Sequence, residues 1–441
     1  MPRLNILVFP CGSEIGLEIH AALRYAKDIR LHGASSVSDH GEFVYARYHQ
    51  IAAQAGSDDL VGQLNGLIDE WAIDLVVPAH DSVIPLLAQA GSRLRAPAMV
   101  PDADTAQVCR DKRLTYARLE KLGIVPPTIA WPAPAYPVFA KPAIGQGSQG
   151  AERVDDPQRH RQLLDSGIDY VVNEYLPGEE YTVDCISDAD GRLLHVAPRR
   201  RARVKSGISV RTEPVPADAG IVAMAWAIAG GLGLRHGWSV AVTWELPLRG
   251  AWFFQARRDR DGRPKLLEVA PRIAGSMGLS RARGINYPLL GIYAHLGRPF
   301  AVLAQDYPLV LDRALGNRYR TGLRYERVYL DLDDTLVVDD APNPLLMALL
   351  YQWSARKVPV VLVTRHARRP LETLDRLHIS PGLFERVVHI EDGSPKSAAI
   401  GRDPAAIFID DSFRERRDVL ESCGIPVFDL DAVEQLLDLR A

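Results

Sequence analysis

The chain opens on a nearly unbroken apolar run, Leu4-Asn5-Ile6-Leu7-Val8-Phe9, followed by Gly12, Ser13 and Gly16. This pattern predicts a buried strand that turns sharply into a helix carrying Ala21, Ala22 and Leu23. Asp74-Leu75-Val76-Val77-Pro78 repeats it, with His80-Asp81-Ser82 leading into another helix. Apolar strands that alternate with helices predict a parallel sheet covered on both faces. A proline-rich stretch from Pro126 to Pro137 closes this region. Beyond it, mixed strands and helices are expected to about residue 310. The charge-free stretch from Ala219 to Leu234, 16 residues long, predicts a buried helix with Ile221, Met224, Ala225 and Ile228 on one face. It is shorter than the ~20 residues that cross a bilayer. The pattern then restarts. Val328-Tyr329-Leu330, Val360 to Val363 and Ala406 to Ile409 are three buried strands, each running into polar residues. Open α/β sheets place their ligand sites at such carboxyl ends.

Length and composition narrow the picture. At roughly 100–200 residues per domain, 441 residues make about three domains. The expected class is α/β, with a Rossmann-like unit over 1–105, an α+β unit over 106–315 and a second Rossmann-like unit over 326–441. Hydrophobic residues make up 47% and charged residues 24%, which excludes a disordered or disulfide-stapled chain. The formal net charge of −3 gives no global attraction to nucleic acid or an anionic membrane, so neither is an expected partner. Cys11, Cys109, Cys185 and Cys423 form no CxxC pair, which fits a reducing compartment and no structural zinc. No targeting segment is evident, and the expected location is cytoplasmic.

The candidate chemistry begins in the middle of the chain. Lys112 opens a predicted helix that Gly123 ends, and Lys141 ends a strand before the loop containing Gly145, Gly147, Ser148 and Gly150. Two ammonium groups and a glycine loop can neutralise and cradle a triphosphate. Glu174 and Glu180 flank a strand–turn–strand and suit hydrogen bonds to a ribose or an adenine amine. Gln255 ends one strand, Glu268 lies in the next, and a return through Asp261-Gly262 brings them together as hard oxygen ligands for Mg²⁺. Arg272 follows closely. Arg199, Arg200, Arg201, Arg203, Lys205 and Arg211 form a basic cluster expected between strands. It is either a solvated loop or a grip on phosphates or an acidic substrate. His80 and Asp81 are either turn residues or face the substrate.

These blocks resemble the ATP-grasp superfamily: Phe139-Ala140-Lys141-Pro142 with its glycine loop, Asn173 to Asp184, and Leu267-Glu268-Val269-Ala270-Pro271-Arg272. The closest flavour is the carbamoyl-phosphate-synthase-like group of carboxylate–amine ligases, over roughly residues 1–310. The resemblance implies that Lys112 and Lys141 contact ATP phosphates and that the glycine loop closes over them. Glu174 and Glu180 would then recognise adenine and ribose, Gln255 and Glu268 hold Mg²⁺, and Arg272 stabilise the transferring phosphoryl group. The family usually has Asn two residues after the metal-binding Glu; here it is Ala270.

At the C-terminal end, Asp331-Leu332-Asp333-Asp334-Thr335, Thr364, Lys396 and the pair Asp410-Asp411 lie at or near ends of the predicted strands. This set looks like the haloacid-dehalogenase (HAD) superfamily. By that resemblance Asp331 is a phosphoryl-accepting nucleophile and Asp333 a general acid and base. Thr364 and Lys396 would hold phosphoryl oxygens. Asp331, Asp410 and Asp411, with the backbone carbonyl of Asp333, would hold Mg²⁺. Only 28 residues separate Thr335 from Thr364, which leaves no room for a large cap. The combined expectation is an ATP- and Mg²⁺-dependent ligase of a small carboxylic acid and an amine, joined to a phosphatase site for a phosphorylated metabolite. A homodimer is a possible assembly. The alternative is a phosphatase whose ATP-grasp part only binds nucleotide or is catalytically degenerate.

Overall fold

The computed structural model describes residues 3–53, 59–205, 207–230, 248–314 and 317–437. The first sheet is parallel, with strands in the order Tyr48–Gln50, Ile29–Ser35, Leu4–Phe9 and Leu75–Pro78. Alternate residues of Leu4–Phe9 serve two cores. Leu7 and Phe9 pack with helices Leu60–Trp71 and Val83–Ala90. Ile6 and Val8 pack with helix Glu14–Leu23 and with Ile273, Met277 and Ile292 from far along the chain. The first unit and the middle of the chain therefore share one hydrophobic core.

The middle holds a three-stranded antiparallel sheet, Glu152–Val154, Val138–Pro142 and Tyr170–Glu174. It also holds a seven-stranded antiparallel sheet, ordered Pro264–Ala270, Gly250–Arg258, Glu180–Ser187, Leu193–Lys205, Ile208–Pro214, Leu309–Arg313 and Asn317–Thr321. One face of the large sheet, through Tyr181, Val183, Phe254 and Leu266, packs on helix Ala219–Ala229. That helix ends where Gly230 takes a left-handed conformation; residues 231–234 of the expected apolar stretch lie outside the described residues. The other face carries polar side chains toward a cleft.

The C-terminal unit is a five-stranded parallel sheet, ordered Arg386–His389, Val360–Thr364, Arg327–Leu330, Ala406–Ile409 and Val427–Phe428. Val328 and Leu330 pack on helix Pro344–Ala355, and Tyr329 packs on the opposite layer with Val419. A two-stranded hairpin, Val337–Val338 with Ala341–Pro342, follows the first strand.

The three regions interlock through buried polar groups. Gln305 exchanges two hydrogen bonds with the Val427 backbone, at 2.6 and 3.1 Å. Arg281, 2% exposed, donates to Glu18 at 3.1 Å and to the Asp431 carbonyl, with Glu434 at 3.9 Å. No helix among the described residues is long and apolar enough to cross a membrane.

Candidate active sites

Lys112 begins helix Lys112–Leu119, whose N-cap Asp111 accepts from the Arg113 amide. The last turn, Glu120–Leu122, tightens to a 3₁₀ helix before Gly123. The Lys112 amide donates to Ala143 O at 3.0 Å, tying the helix start to the glycine loop. The Lys112 ammonium lies 4.0 Å from Glu268 Oε2. Lys141 points into the same region. Its ammonium donates to Leu267 O at 3.1 Å and to the Tyr116 hydroxyl, and it sits over the Tyr116 ring. Burial, reinforced by nearby Lys112, pushes the Lys141 pKa down to about 7. No carboxylate lies within ion-pair distance of it among the described residues.

Gln255 and Glu268 are directly paired across neighbouring strands, and Thr182 is paired with Gln255 on the other side. The three make a polar row on the cleft face. Gln255 lies within strand Gly250–Arg258 instead of ending it, because pairing continues through Arg258.

Two cavities meet at this row. The smaller, about 120 Å³, is lined by Phe139, Lys141, Ser148, Glu174, Tyr175 and Glu180. The larger, about 280 Å³, is lined by Ser13, His80, Arg110, Arg272, Ser276 and Arg313, among others. They share Lys112, Gly145, Gln146, Gly147, Gly207, Gln255 and Glu268. Gly150 lines neither cavity; its φ of 70° supplies the turn that closes the loop.

Several expected residues have partners that local pattern did not reveal. Arg272 makes a bidentate pair with Asp81, both contacts at 2.6 Å, and lies over the Phe253 ring. Glu180 faces Arg201 at 3.1 Å and Arg257 at 3.8 Å, so its carboxylate is already engaged by cations. His80, from the first unit, contacts Gln146 of the glycine loop at 2.9 Å. The basic cluster is not a loop between strands. It forms the long hairpin of Leu193–Lys205 and Ile208–Pro214. Arg199 is buried against Asp184 at 2.8 Å and Ser276 at 2.6 Å. At the hairpin tip, Gly207 presses on the glycine loop: a Cβ there would fall 1.9 Å from Gly147 O.

The C-terminal cluster is tighter. Lys396 reaches Asp331 at 2.5 Å and Asp410 at 2.6 Å, with all three side chains buried. Burial and Asp410 raise the pKa of Asp331, and burial raises that of Asp410. Lys396 is itself desolvated, but the two carboxylates outweigh this and raise its pKa. Thr335 Oγ1 lies 3.4 Å from Asp331 and 3.3 Å from Asp411. Oxygens of Asp331, Asp410 and Asp411 lie within 4.8 Å of one another, a donor set suited to a hard divalent cation. The Asp333 carboxylate is outside this set. It is exposed and turned to His366 Nδ1 at 2.6 Å. Thr364 is buried at its strand end and accepts from the His366 amide at 3.1 Å. Lys27, from the first unit, reaches Asp411 at 2.7 Å.

Comparison with known proteins bears on the middle region. Residues 109–217 match the family described as the ATP-grasp domain. Residues 168–312 match the family described as ATP-grasp in the biosynthetic pathway with Ter operon. Residues 109–312 are thus similar to ATP-grasp domains. Solved structures agree on the fold. The biotin carboxylase domain of 2-oxoglutarate carboxylase from Hydrogenobacter thermophilus, a dimer in complex with MgADP, ADP and bicarbonate, is 13% identical, with a TM-score of 0.55 over 71% of this chain and 75% of its own. N5-carboxyaminoimidazole synthetase from Staphylococcus aureus is 15% identical, with a TM-score of 0.54 over 71% and 83%. L-amino acid ligase from Bacillus licheniformis is 17% identical, with a TM-score of 0.54 over 71% and 80%. No curated protein matches the chain. The ATP-grasp match takes in Lys112, Lys141, the glycine loop, Gln255, Glu268 and Arg272.

Proposed function

We propose that the chain is an ATP-dependent carboxylate–amine ligase carrying a second, phosphoryl-hydrolysing site. The convergence of Lys112, Lys141 and Glu268 where the two cavities meet carries this reading. Adenosine would occupy the smaller cavity, near Glu174 and Glu180, with its phosphates reaching the shared edge. The substrates would occupy the larger one. Gln255 and Glu268 fit Mg²⁺ by their oxygen donors, and the bound ion would supply neutralisation of phosphoryl oxygens.

A carboxylate oxygen attacks the γ-phosphorus, ADP leaves, and the acid becomes an acyl phosphate. The amine nitrogen then attacks the acyl carbon, inorganic phosphate leaves, and the nitrogen loses a proton. The chain binds and aligns the reactants, while Lys112, Lys141 and Arg272 counter the charge that moves with the phosphoryl group. Asp81 holds the Arg272 guanidinium in one orientation. Incubating the chain with ATP, Mg²⁺ and pooled acids and amines tests the reading. ADP release that requires both an acid and an amine, with an adduct one water lighter than their sum, supports it; ADP release independent of both sinks it.

The second site supports hydrolysis of a phosphomonoester. Asp331 attacks the phosphorus, and Asp333, held by His366, protonates the leaving oxygen. Asp333 then takes a proton from water as it attacks the aspartyl phosphate. Lys396 and Thr364 would hold the phosphoryl oxygens. Asp331, Asp410 and Asp411 would hold Mg²⁺. A HAD-like fold over 326–441 belongs to this proposal, as do the boundaries 1–105 and 106–315 and a homodimeric assembly.

Ala270 favours a second reading, in which hydrolysis is the activity and the ATP-grasp domain only binds nucleotide. It fills the position where the family carries an oxygen ligand. Turnover of p-nitrophenyl phosphate without ligation of any acid–amine pair would select that reading.

A further inference from the structure

The first unit reaches the C-terminal acid cluster through one side chain. Lys27 lies between helix Glu14–Leu23 and strand Ile29–Ser35, and its ammonium donates to Asp411 Oδ2 at 2.7 Å across 384 positions of chain. Asp411 is one of the three carboxylates whose oxygens are grouped for a divalent cation. Its other oxygen, Oδ1, accepts from Thr335 Oγ1 at 3.3 Å. Both oxygens of this carboxylate therefore already have partners.

The cluster meets two lysines of unlike kind. Lys396 is buried, with Asp331 at 2.5 Å and Asp410 at 2.6 Å, and pulling it from them would strand charges in a dry interior. Lys27 has one carboxylate within ion-pair distance among the described residues, and its side chain is 54% exposed. An ion pair with so wet a member is weak. Lys27 also lines a cavity of about 400 Å³ together with Asp28, and Asp334 and Asp28 attract its ammonium as well. Carboxylates thus stay near it when it leaves Asp411. A divalent cation held by Asp331, Asp410 and Asp411 takes an Asp411 oxygen and sets two positive charges beside that ammonium. The repulsion acts on the partner that is free to move, which is Lys27.

We propose that Lys27 is a tethered competitor of the divalent cation: it occupies Asp411 while the metal is absent and gives way when the metal binds, so that a residue of the first unit sets the metal affinity of the C-terminal site. This rests on the reading of Asp331, Asp410 and Asp411 as a metal site. Binding of Mn²⁺ to the nucleotide-free full chain, with the free ion counted by electron paramagnetic resonance, tests it. The bound Mn²⁺ that Asp410→Asn removes is the ion of this cluster. Lys27→Met tightens that ion about three-fold or more, while Lys27→Arg keeps a cation on Asp411 and stays within about two-fold of the parent. Arg3→Met removes a neighbouring cation that pairs with Asp339, outside the metal set, and also stays within about two-fold. Unchanged or weaker binding in Lys27→Met overturns the competition, and so does an equal gain from Arg3→Met. A parent chain with no bound Mn²⁺ that Asp410→Asn removes overturns the metal site itself, and the competitor with it.

Discussion

Lys141 and Lys396 are both buried, yet their surroundings move them in opposite directions. Lys396 sits between two carboxylates, and its pKa rises despite desolvation. Lys141 has a carbonyl, a hydroxyl and a neighbouring cation, and its pKa falls to about 7. The C-terminal cluster gives its lysine two carboxylate partners and has three carboxylates with oxygens grouped for a metal. The cleft lysine has no carboxylate within ion-pair distance among the described residues. One lysine is ion-paired within the protein; the other is buried beside a second lysine without such a pair.

The sharpest way to break this comparison is at Asp331, the proposed nucleophile. Asp331→Asn should lower p-nitrophenyl phosphate hydrolysis by about 10³-fold or more while nucleotide affinity, measured by calorimetry, stays unchanged. Next come the lysines themselves. Lys396→Met leaves Asp331 and Asp410 facing one another and should cost about 3–5 kcal/mol in denaturant unfolding without metal. Lys141→Met should act in the opposite sense, stabilising the nucleotide-free protein by about 1–2 kcal/mol while weakening ATP binding.

The same contrast predicts a pH dependence. Between about 7 and the ordinary lysine value of 10.5, the unfolded chain holds a proton on Lys141 that the native chain lacks. The Lys141 contribution to stability therefore improves as pH rises through that window, and its penalty is complete below it. Lys396 contributes fully below 10.5, and its contribution is lost as pH climbs through its raised value. Comparing unfolding curves of the two methionine variants with the parent from pH 6 to 10 separates the trends. The smallest expected effect lies at the hairpin tip. Gly207→Ala forces a side chain toward Gly147 O at a φ of 75° and should cost about 1–2 kcal/mol, read as weaker nucleotide binding.

The two regions also differ in how far the sequence exposed them. Asp331, Thr364, Asp410 and Asp411 lie at ends of strands in one parallel sheet, so apolar runs breaking into polar residues located them. What the pattern missed there was orientation: the Asp333 side chain follows His366 and leaves the acid cluster. In the cleft, Lys112, Lys141, Gln255 and Glu268 were legible because each lies on or beside a recognisable strand, helix or loop. Their environment was not. Asp81 meets Arg272 across 191 positions of chain, a contact made only when the first sheet docks on the large one. The basic hairpin lacks the apolar alternation of an ordinary strand. Arg199 takes an inward position with Asp184, and Arg201 one with Glu180, so ion pairs replace the hydrophobic signal.

Arg281 bears on how the whole molecule holds together. Its guanidinium is neutralised by a carboxylate from the first helix and by a carbonyl and a carboxylate from the last stretch of chain. Peeling off either end would strand that charge in a dry interior, so neither end can be shed cheaply. Heating should therefore produce a single cooperative melt, with both proposed activities lost at one temperature.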